Sequence, residues 1–237
     1  MAGLGQSIID FLRQLVTWVP GLIMGVVLHE YAHGYIAYRS GDPTARNMGR
    51  LTLNPIAHID LFGSVLLPLL LILINSGIVF GYAKPVPINP SYFRNYRRGL
   101  RYTSLAGPVA NLIFAFFIGL IYGLYCYIFF KVTGNWPIIN NSATNLIGQI
   151  FQSTIFINIF LAIFNFIPIP PLDGSKILAS FLPGEAMFKY LSLGRFGFIF
   201  IFIFLFILGG RFWAIIFPAF RFIYSNIFIW WQHLIPG

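Results

Sequence analysis

The sequence predicts an all-α polytopic membrane protein, a single domain over residues 1–237 with about five to six membrane segments. Hydrophobic residues make up 58% of the chain and charged residues only 9%, whereas a soluble globular domain has roughly 25% charged residues. The mean hydropathy is +0.80. Long apolar runs are separated by short polar stretches that contain glycine and proline. These observations exclude an ordinary soluble domain.

The apolar runs define the predicted segments. The first covers about residues 8–38 and is ended by the polar stretch from Arg39 to Pro43, where glycine and proline stop a helix. The next, at about 64–80, would reach only about 25 Å as a helix, so we expect a re-entrant or short segment. Later runs lie at about 102–130, 148–167 and 194–217, and a last stretch at about 218–233 either crosses the membrane or lies in its interface.

Basic residues are concentrated in the loops between these runs. The net charge is +9, and residues 38–102 carry eight Lys and Arg, against one in 131–147 and three in 169–195. Loops rich in Lys and Arg remain in the cytoplasm and contact lipid headgroups. The charge therefore predicts a multi-pass protein of the cell membrane with an external N-terminus, and no nucleic-acid partner.

One motif in the first segment carries chemistry. The sequence His29-Glu30-Tyr31-Ala32-His33 places two histidines four residues apart, so one helix face presents both imidazoles to a single metal ion. Glu30 lies beside them and can reach a metal-bound water. This spacing is typical of zinc hydrolases that break peptide bonds.

A catalytic zinc usually has three protein ligands, so a third is needed. Asp173, in the stretch Asn165 to Gly174, is an acid at the edge of a strongly apolar span, where an ionisable group is expensive and a functional candidate. The prolines of this stretch break the helix and could turn the carboxylate toward the metal. Alternatively, Asp173 is the N-cap of a helix that begins near Ser175.

Two stretches after the first segment predict a short extended or β element near the active site. Residues 49–55 alternate like a strand, and the prolines between Gly81 and Pro90 forbid helix. Either these stretches form a structured loop, or they provide a sheet edge that holds an extended substrate beside the metal. His58, between them, could be a regulatory or alternative metal ligand, but we expect a surface or headgroup contact, which is the commoner role of a loop histidine beside an acidic residue.

Three motifs together resemble the site-2 protease family, zinc metalloproteases that cut peptide bonds within or beside the membrane. They are His29 to Gly34, Ala106 to Asn111 at the opening of the middle core helix, and Asn165 to Gly174. The resemblance covers about residues 20–182 and includes no PDZ or CBS domain. It implies a catalytic core over about 8–182, followed by C-terminal membrane segments at about 194–233.

The resemblance also implies roles for single residues. His29, His33 and Asp173 would bind one zinc ion per chain, Glu30 would be the general base, and Asn165 would position the substrate or the developing oxyanion. The implied activity is that of an intramembrane zinc metalloendopeptidase acting on transmembrane protein substrates. The Lys and Arg distribution then predicts an active site that opens toward the cytoplasm.

Two other functions fit parts of the pattern. In a metal or ion transporter, intramembrane His, Glu and Asp would line a permeation path, but such proteins usually need several polar sites and often repeats. In a catalytically silent scaffold that binds transmembrane partners, an intact Glu30 would have no purpose. The sequence has one compact cluster and no repeat. Gly107 and Asn111 could contact substrate, although helix packing is the simpler interpretation.

Overall fold

The computed structural model describes residues 2–67, 70, 81–135, 143–197, 199, 214, 217–218 and 220–225. Within these residues the protein is mainly helical and contains no strand. The α-helices are α1 (Ala2–Ser40), α2 (Thr44–Asn47), α3 (Tyr96–Thr133), α4 (Ala143–Phe166), α5 (Asp173–Ala179) and α6 (Gly184–Ser192). Short 3-10 turns lie at Pro55–His58, Pro90–Tyr92 and Leu193–Phe196, and a π-helical turn at Leu61–Leu66.

Three of the described helices are long and apolar enough to cross a membrane. They are Leu12–Ser40 within α1, Tyr96–Thr133, and Leu146–Phe166 within α4. A helix satisfies its backbone hydrogen bonds internally, which is what an apolar environment requires. The runs predicted at 8–38, 102–130 and 148–167 are thus confirmed as helices. The runs at 64–80 and 194–233 lie largely outside the described residues, so five to six segments stay a prediction.

The surface of α3 is apolar where it is exposed. Side chains spaced three or four residues apart form one exposed stripe, each more than half exposed: Ile113, Phe117, Ile121, Leu124 and Ile128. An apolar stripe of this length is unfavourable in water and suits contact with acyl chains. The stripe therefore supports membrane association.

The chain divides into two compact units. The first comprises Met1–Gly25 and Pro108–Gly237, and the second comprises Val26–Gly107. The core of the first unit is built from α3, α4 and the described C-terminal residues. Its buried members are Ala115, Tyr122, Cys126, Ile155, Ile159 and Phe220.

In the first unit, glycines bring the start of α1 close to α4. A Cβ on Gly21 would lie 2.6 Å from Thr154 Oγ1 and 2.7 Å from Thr154 Cα, and one on Gly25 would lie 2.4 Å from Asn158 Oδ1. Asn158 Nδ2 donates to the Gly21 carbonyl at 3.3 Å. Small residues four apart allow two helix backbones to approach and to exchange hydrogen bonds.

In the second unit, Asp42 ties the end of α1 to a later loop. Its side chain is fully buried; Oδ1 accepts from Thr44 N at 2.9 Å and Oδ2 accepts from Asn89 N at 2.6 Å. Arg94 N donates to the Ser40 carbonyl at 3.0 Å. The predicted helix stop after Arg39 is confirmed, since α1 ends at Ser40.

The predicted β element is not confirmed, because neither residues 49–54 nor residues 81–89 form a strand. Backbone groups that would pair with a neighbouring strand in a sheet instead form hydrogen bonds with the Arg50 side chain and with an isolated carbonyl. Arg50 Nη2 donates to the carbonyls of Lys84 and Pro85 at 3.0 and 3.3 Å, and Lys84 N donates to the His58 carbonyl at 2.9 Å. Proline at 85 and 87 also lacks a donor. These segments are irregular for that reason.

Replacing Gly21 by Ala tests the close approach of α1 and α4. Helix propensity alone favours Ala over Gly by about 1 kcal/mol, but here the new Cβ meets the backbone of Thr154, and overpacking costs about 1–3 kcal/mol. We expect Gly21→Ala to lower the midpoint of thermal unfolding in detergent. Gly184→Ala, where no atom lies within 4 Å of the new Cβ, is the control and should not lower it. Equal midpoints would contradict this packing.

Candidate metal centre

His29 and His33 present their Nε2 atoms to each other on one face of α1. The two Nε2 atoms are 3.0 Å apart, the rings are nearly perpendicular at 87°, and both side chains are buried. Two nitrogen ligands at the usual zinc distance in a tetrahedral site lie about 3.3 Å apart. The pair is therefore within a few tenths of an ångström of the separation that one ion would need.

The backbone of α3 determines which nitrogen of His33 can bind a metal. His33 Nδ1 donates to the Thr103 carbonyl at 2.6 Å, and a carbonyl oxygen can only accept, so Nδ1 carries the proton. In the neutral ring Nε2 then carries the lone pair and faces His29. This orientation by a backbone carbonyl is typical of metal-binding histidines.

Gly107, one turn after Thr103 on α3, leaves room beside both imidazoles. A Cβ at this position would lie 2.5 Å from His33 Nε2 and 2.6 Å from His29 Nε2. Any side chain would thus occupy the place where the two nitrogens converge. Sequence reasoning assigned Gly107 to helix packing or substrate contact and missed this role. The motif also lies inside α3, which begins at Tyr96, and does not open the helix.

Glu30 is half-buried, and one of its carboxylate oxygens is held by a loop. Val86 N donates to Glu30 Oε2 at 2.7 Å. Glu30 follows His29 directly in α1, so its carboxylate belongs to the same helix as the two histidines. Nothing in the sequence pattern pointed to Val86 as its partner.

Asp173 is the first residue of α5 and is buried. The N-cap is Leu172, whose carbonyl accepts from Ser175 N at 3.1 Å, so the alternative of an N-cap aspartate is wrong. Lys176 Nζ donates to Asp173 Oδ1 at 3.1 Å. A Cβ on Gly174 would lie 2.2 Å from the Phe166 carbonyl oxygen, so glycine lets α5 begin tightly against the end of α4.

His29 and His33 belong to the second unit and Asp173 to the first; all three have side chains of a type that binds a metal ion, and all three are buried. Asn165 is in the last turn of α4, where its Nδ2 donates to the Leu161 carbonyl at 3.0 Å. His58 is buried, not a surface contact as expected, and its Nε2 lies 2.9 Å from the Thr52 carbonyl.

Gly107→Ala tests the convergence of the two histidines. The added methyl group would displace both imidazoles, so we expect the metal content of the purified protein to fall by about tenfold or more, as measured by elemental mass spectrometry. Gly148→Ala is the matched control on α4, because its nearest neighbour, Tyr122 Oη, is at an ordinary contact distance of 3.5 Å. A folded Gly107→Ala protein with full metal content would contradict the geometry.

Comparisons with known proteins agree with this centre. Residues 17–208 match peptidase family M50. The chain is 39% identical over 178 residues to "Putative zinc metalloprotease YwhC" of Bacillus subtilis (strain 168), covering 75% of this chain and 74% of that protein.

More distant relatives have similar names. "Putative zinc metalloprotease Rip2" of Mycolicibacterium smegmatis is 28% identical over 198 residues, covering 81% of this chain and 67% of that protein. The protein of the same name from Mycobacterium tuberculosis (strain ATCC 25618 / H37Rv) is 27% identical over 212 residues, covering 85% of this chain and 72% of that protein. No solved structure gives a significant match. By its match over most of its length, the chain belongs to peptidase family M50, the site-2 protease family.

Proposed function

We propose that the protein is a zinc-dependent intramembrane endopeptidase that hydrolyses peptide bonds within or beside the transmembrane segments of membrane proteins. The observation that carries the proposal is the pair of Nε2 atoms 3.0 Å apart on α1, with the Glu30 carboxylate on the intervening turn. Family membership and three apolar helices support a membrane metalloprotease. The endopeptidase activity and its substrates are our inference.

We assign one zinc ion per chain to His29, His33 and Asp173. Two neutral imidazoles and one carboxylate are a donor set that catalytic zinc sites use, and three protein ligands leave a fourth position for water or substrate. The tautomer of His33 and the absence of a side chain at Gly107 both favour this assignment. The names of the relatives, which specify zinc, agree with it.

Each polar residue of the proposed active site has a separate role in peptide hydrolysis. Zinc, when bound, supplies Lewis-acid activation of water and of the scissile carbonyl. Glu30 accepts the proton that the attacking water loses and delivers it to the leaving amine, which completes hydrolysis. Lys176 holds Oδ1 of Asp173 and so restrains the orientation of that carboxylate. Asn165 has a second amide hydrogen beyond its bond to Leu161, and we assign it to the substrate carbonyl or the developing oxyanion.

The substrate must unwind before it can react, since a transmembrane helix hides its peptide bonds in its own hydrogen bonds. An unwound segment in apolar surroundings needs new partners for each N–H and C=O group. Residues 49–54 are irregular and half-buried or exposed, and although the Thr52 carbonyl is bonded to His58, Leu53 is 55% exposed, so an incoming strand could reach the backbone of this stretch. We propose that this stretch holds the substrate in an extended conformation.

We place the active site toward the cytoplasm. Eight of the fifteen Lys and Arg residues lie between residues 38 and 102, the part of the chain that directly follows the His29 motif. The positive-inside rule favours a cytoplasmic position for such a loop.

The two rival functions make different demands on the molecule. A transporter needs a polar route, yet the described part of the chain contains one group that could hold a metal. A silent scaffold does not need a general base beside that group. Zinc content and a cleavage assay on the same purified protein separate all three functions. Membrane proteomics of wild-type and Glu30→Gln cells would identify substrates as uncut stubs that accumulate in the mutant.

Glu30→Gln separates the base from the ligands. The amide is nearly isosteric but cannot accept the proton, so we expect cleavage to fall by a factor of about 100 or more while zinc content stays at the wild-type level. His29→Ala, His33→Ala and Asp173→Ala should each lose both activity and most of the zinc. Wild-type cleavage by Glu30→Gln would show that another group activates the water, and full zinc occupancy in Asp173→Ala would remove Asp173 from the ligand set.

Cysteine labelling tests the orientation. In a Cys126→Ser background, cysteines at Arg46 and Arg97 should both react with an impermeant maleimide only from the cytoplasmic side. A cysteine at Asn140, which lies outside the described residues, should react from the other side. Labelling of positions 46 and 97 from opposite faces would contradict the proposed topology.

A further inference from the structure

The contact between Val86 and Glu30 is made by a segment that offers a single donor. Pro85 and Pro87 have no N–H group, so Val86 N is the only backbone donor of this tripeptide. It donates to Glu30 Oε2 at 2.7 Å. A hydrogen bond from an amide to a carboxylate is charge-assisted and stronger than a neutral one.

Hydrogen bonds hold the Pro85-Val86-Pro87 segment on its N-terminal side. Lys84 N donates to the His58 carbonyl at 2.9 Å. Arg50 Nη2 donates to the carbonyls of Lys84 and Pro85 at 3.0 and 3.3 Å. Three hydrogen bonds therefore hold the two residues that precede Val86, and the one to the Pro85 carbonyl restrains the peptide plane that also contains the Val86 N–H group.

On the C-terminal side, Asp42 holds the segment by a hydrogen bond from the backbone. This carboxylate is fully buried, and its Oδ2 accepts from Asn89 N at 2.6 Å while Oδ1 accepts from Thr44 N at 2.9 Å. Asp42 lies two residues beyond the end of α1, the helix that carries Glu30. It therefore connects the end of that helix to the segment that holds Glu30.

Packing brings the Val86 side chain against the same helix. Val86 is buried, and a Cβ on Gly34, the residue after His33, would lie 2.9 Å from Val86 Cγ1. The segment thus contacts α1 through a side chain at Gly34 and through a backbone hydrogen bond at Glu30. Both contacts lie within the second unit.

We propose that Pro85-Val86-Pro87 is a positioning segment for Glu30, and that Asp42 holds this segment in register. The Val86 N–H group fixes one carboxylate oxygen of Glu30, which leaves the other oxygen to face the attacking water. Val86 transfers no proton and touches no reacting atom, so it is a positioning residue. The inference rests on the proposed role of Glu30 as the base, and it adds the group that orients that base.

An infrared measurement tests the contact without any cleavage assay. The chain contains only two glutamates, Glu30 and Glu185, so a Glu185→Gln protein made by cell-free synthesis with 13C-carboxyl glutamate has one labelled side-chain carboxylate. In Val86→Pro, which removes the N–H group, the carboxylate stretching bands of Glu30 should shift. In Val86→Ala, which keeps the N–H group and removes the side-chain packing, they should stay at their Glu185→Gln positions. Unshifted bands in folded Val86→Pro would overturn the inference.

Kinetics on the zinc-loaded enzyme give the second readout. We expect kcat of Val86→Pro to lie about 10- to 100-fold below that of Val86→Ala, with KM within about twofold and zinc content equal. A loss of kcat as large in Val86→Ala as in Val86→Pro would show that packing, and not the hydrogen bond, is what matters. It would overturn the assignment as well.

Two further variants remove the dependence on one proline. An ester at position 86, introduced as 2-hydroxy-3-methylbutanoic acid, replaces only the N–H group by oxygen and should reproduce the band shift even if Val86→Pro does not fold. Asp42→Asn leaves one acceptor oxygen for three donors, which are Thr44 N, Thr44 Oγ1 and Asn89 N, so it should shift the same bands in the same direction. A protein that shows the shifts but never cleaves a membrane substrate would refute the proposed function alone.

Discussion

The position of the His33 imidazole against the backbone of α3 is the constraint on which the candidate metal centre depends. The carbonyl of Thr103 fixes the proton on Nδ1, and Gly107 leaves space where Nε2 of His33 approaches Nε2 of His29. Both effects come from the backbone of one helix, four residues apart. A pair of imidazoles in this arrangement requires that α1 and α3 approach closely, which Gly107 allows.

Two carboxylates of the second unit, those of Asp42 and Glu30, share a second property, which is that backbone N–H groups outside α1 donate to them. Asp42 accepts from Thr44 and Asn89, and Glu30 accepts from Val86. In apolar surroundings an unpaired carboxylate is expensive, so each of these bonds both stabilises a loop and orients a side chain. Irregular backbone at this place is tolerated because side chains occupy its donors and acceptors.

The same reasoning explains why the first unit is built differently. Its core consists of apolar side chains of α3 and α4, and its polar residues bond to helix carbonyls, as Asn158 does to Gly21 and Ser153 does to Thr17. Without a hydrophobic driving force between helices in a bilayer, close packing and such bonds hold the helices together. In the same unit, Asn165 lies in the last turn of α4 and Asp173 is the first residue of α5.

The sequence alone predicted an apolar, membrane-associated protein, the three long helices that the structure describes, and the candidate residues of the metal centre. Composition and the 3.6-residue helix period are local properties, and the His29-Glu30-His33 spacing lies within little more than one turn, so no tertiary contact was needed to predict them. The break after Phe166 could likewise be predicted, because Pro168 cannot continue a helix.

Only the tertiary structure decided how these residues are oriented. Thr103 lies seventy residues from His33 and Val86 fifty-six from Glu30, and both bonds involve a backbone group that has no side-chain signature. The expected strand at 49–54 failed for a related reason, since alternation predicts a strand only if a partner is present, and here Arg50 bonds to the neighbouring loop. Partners distant in sequence are set by packing, and packing is not encoded in any local pattern.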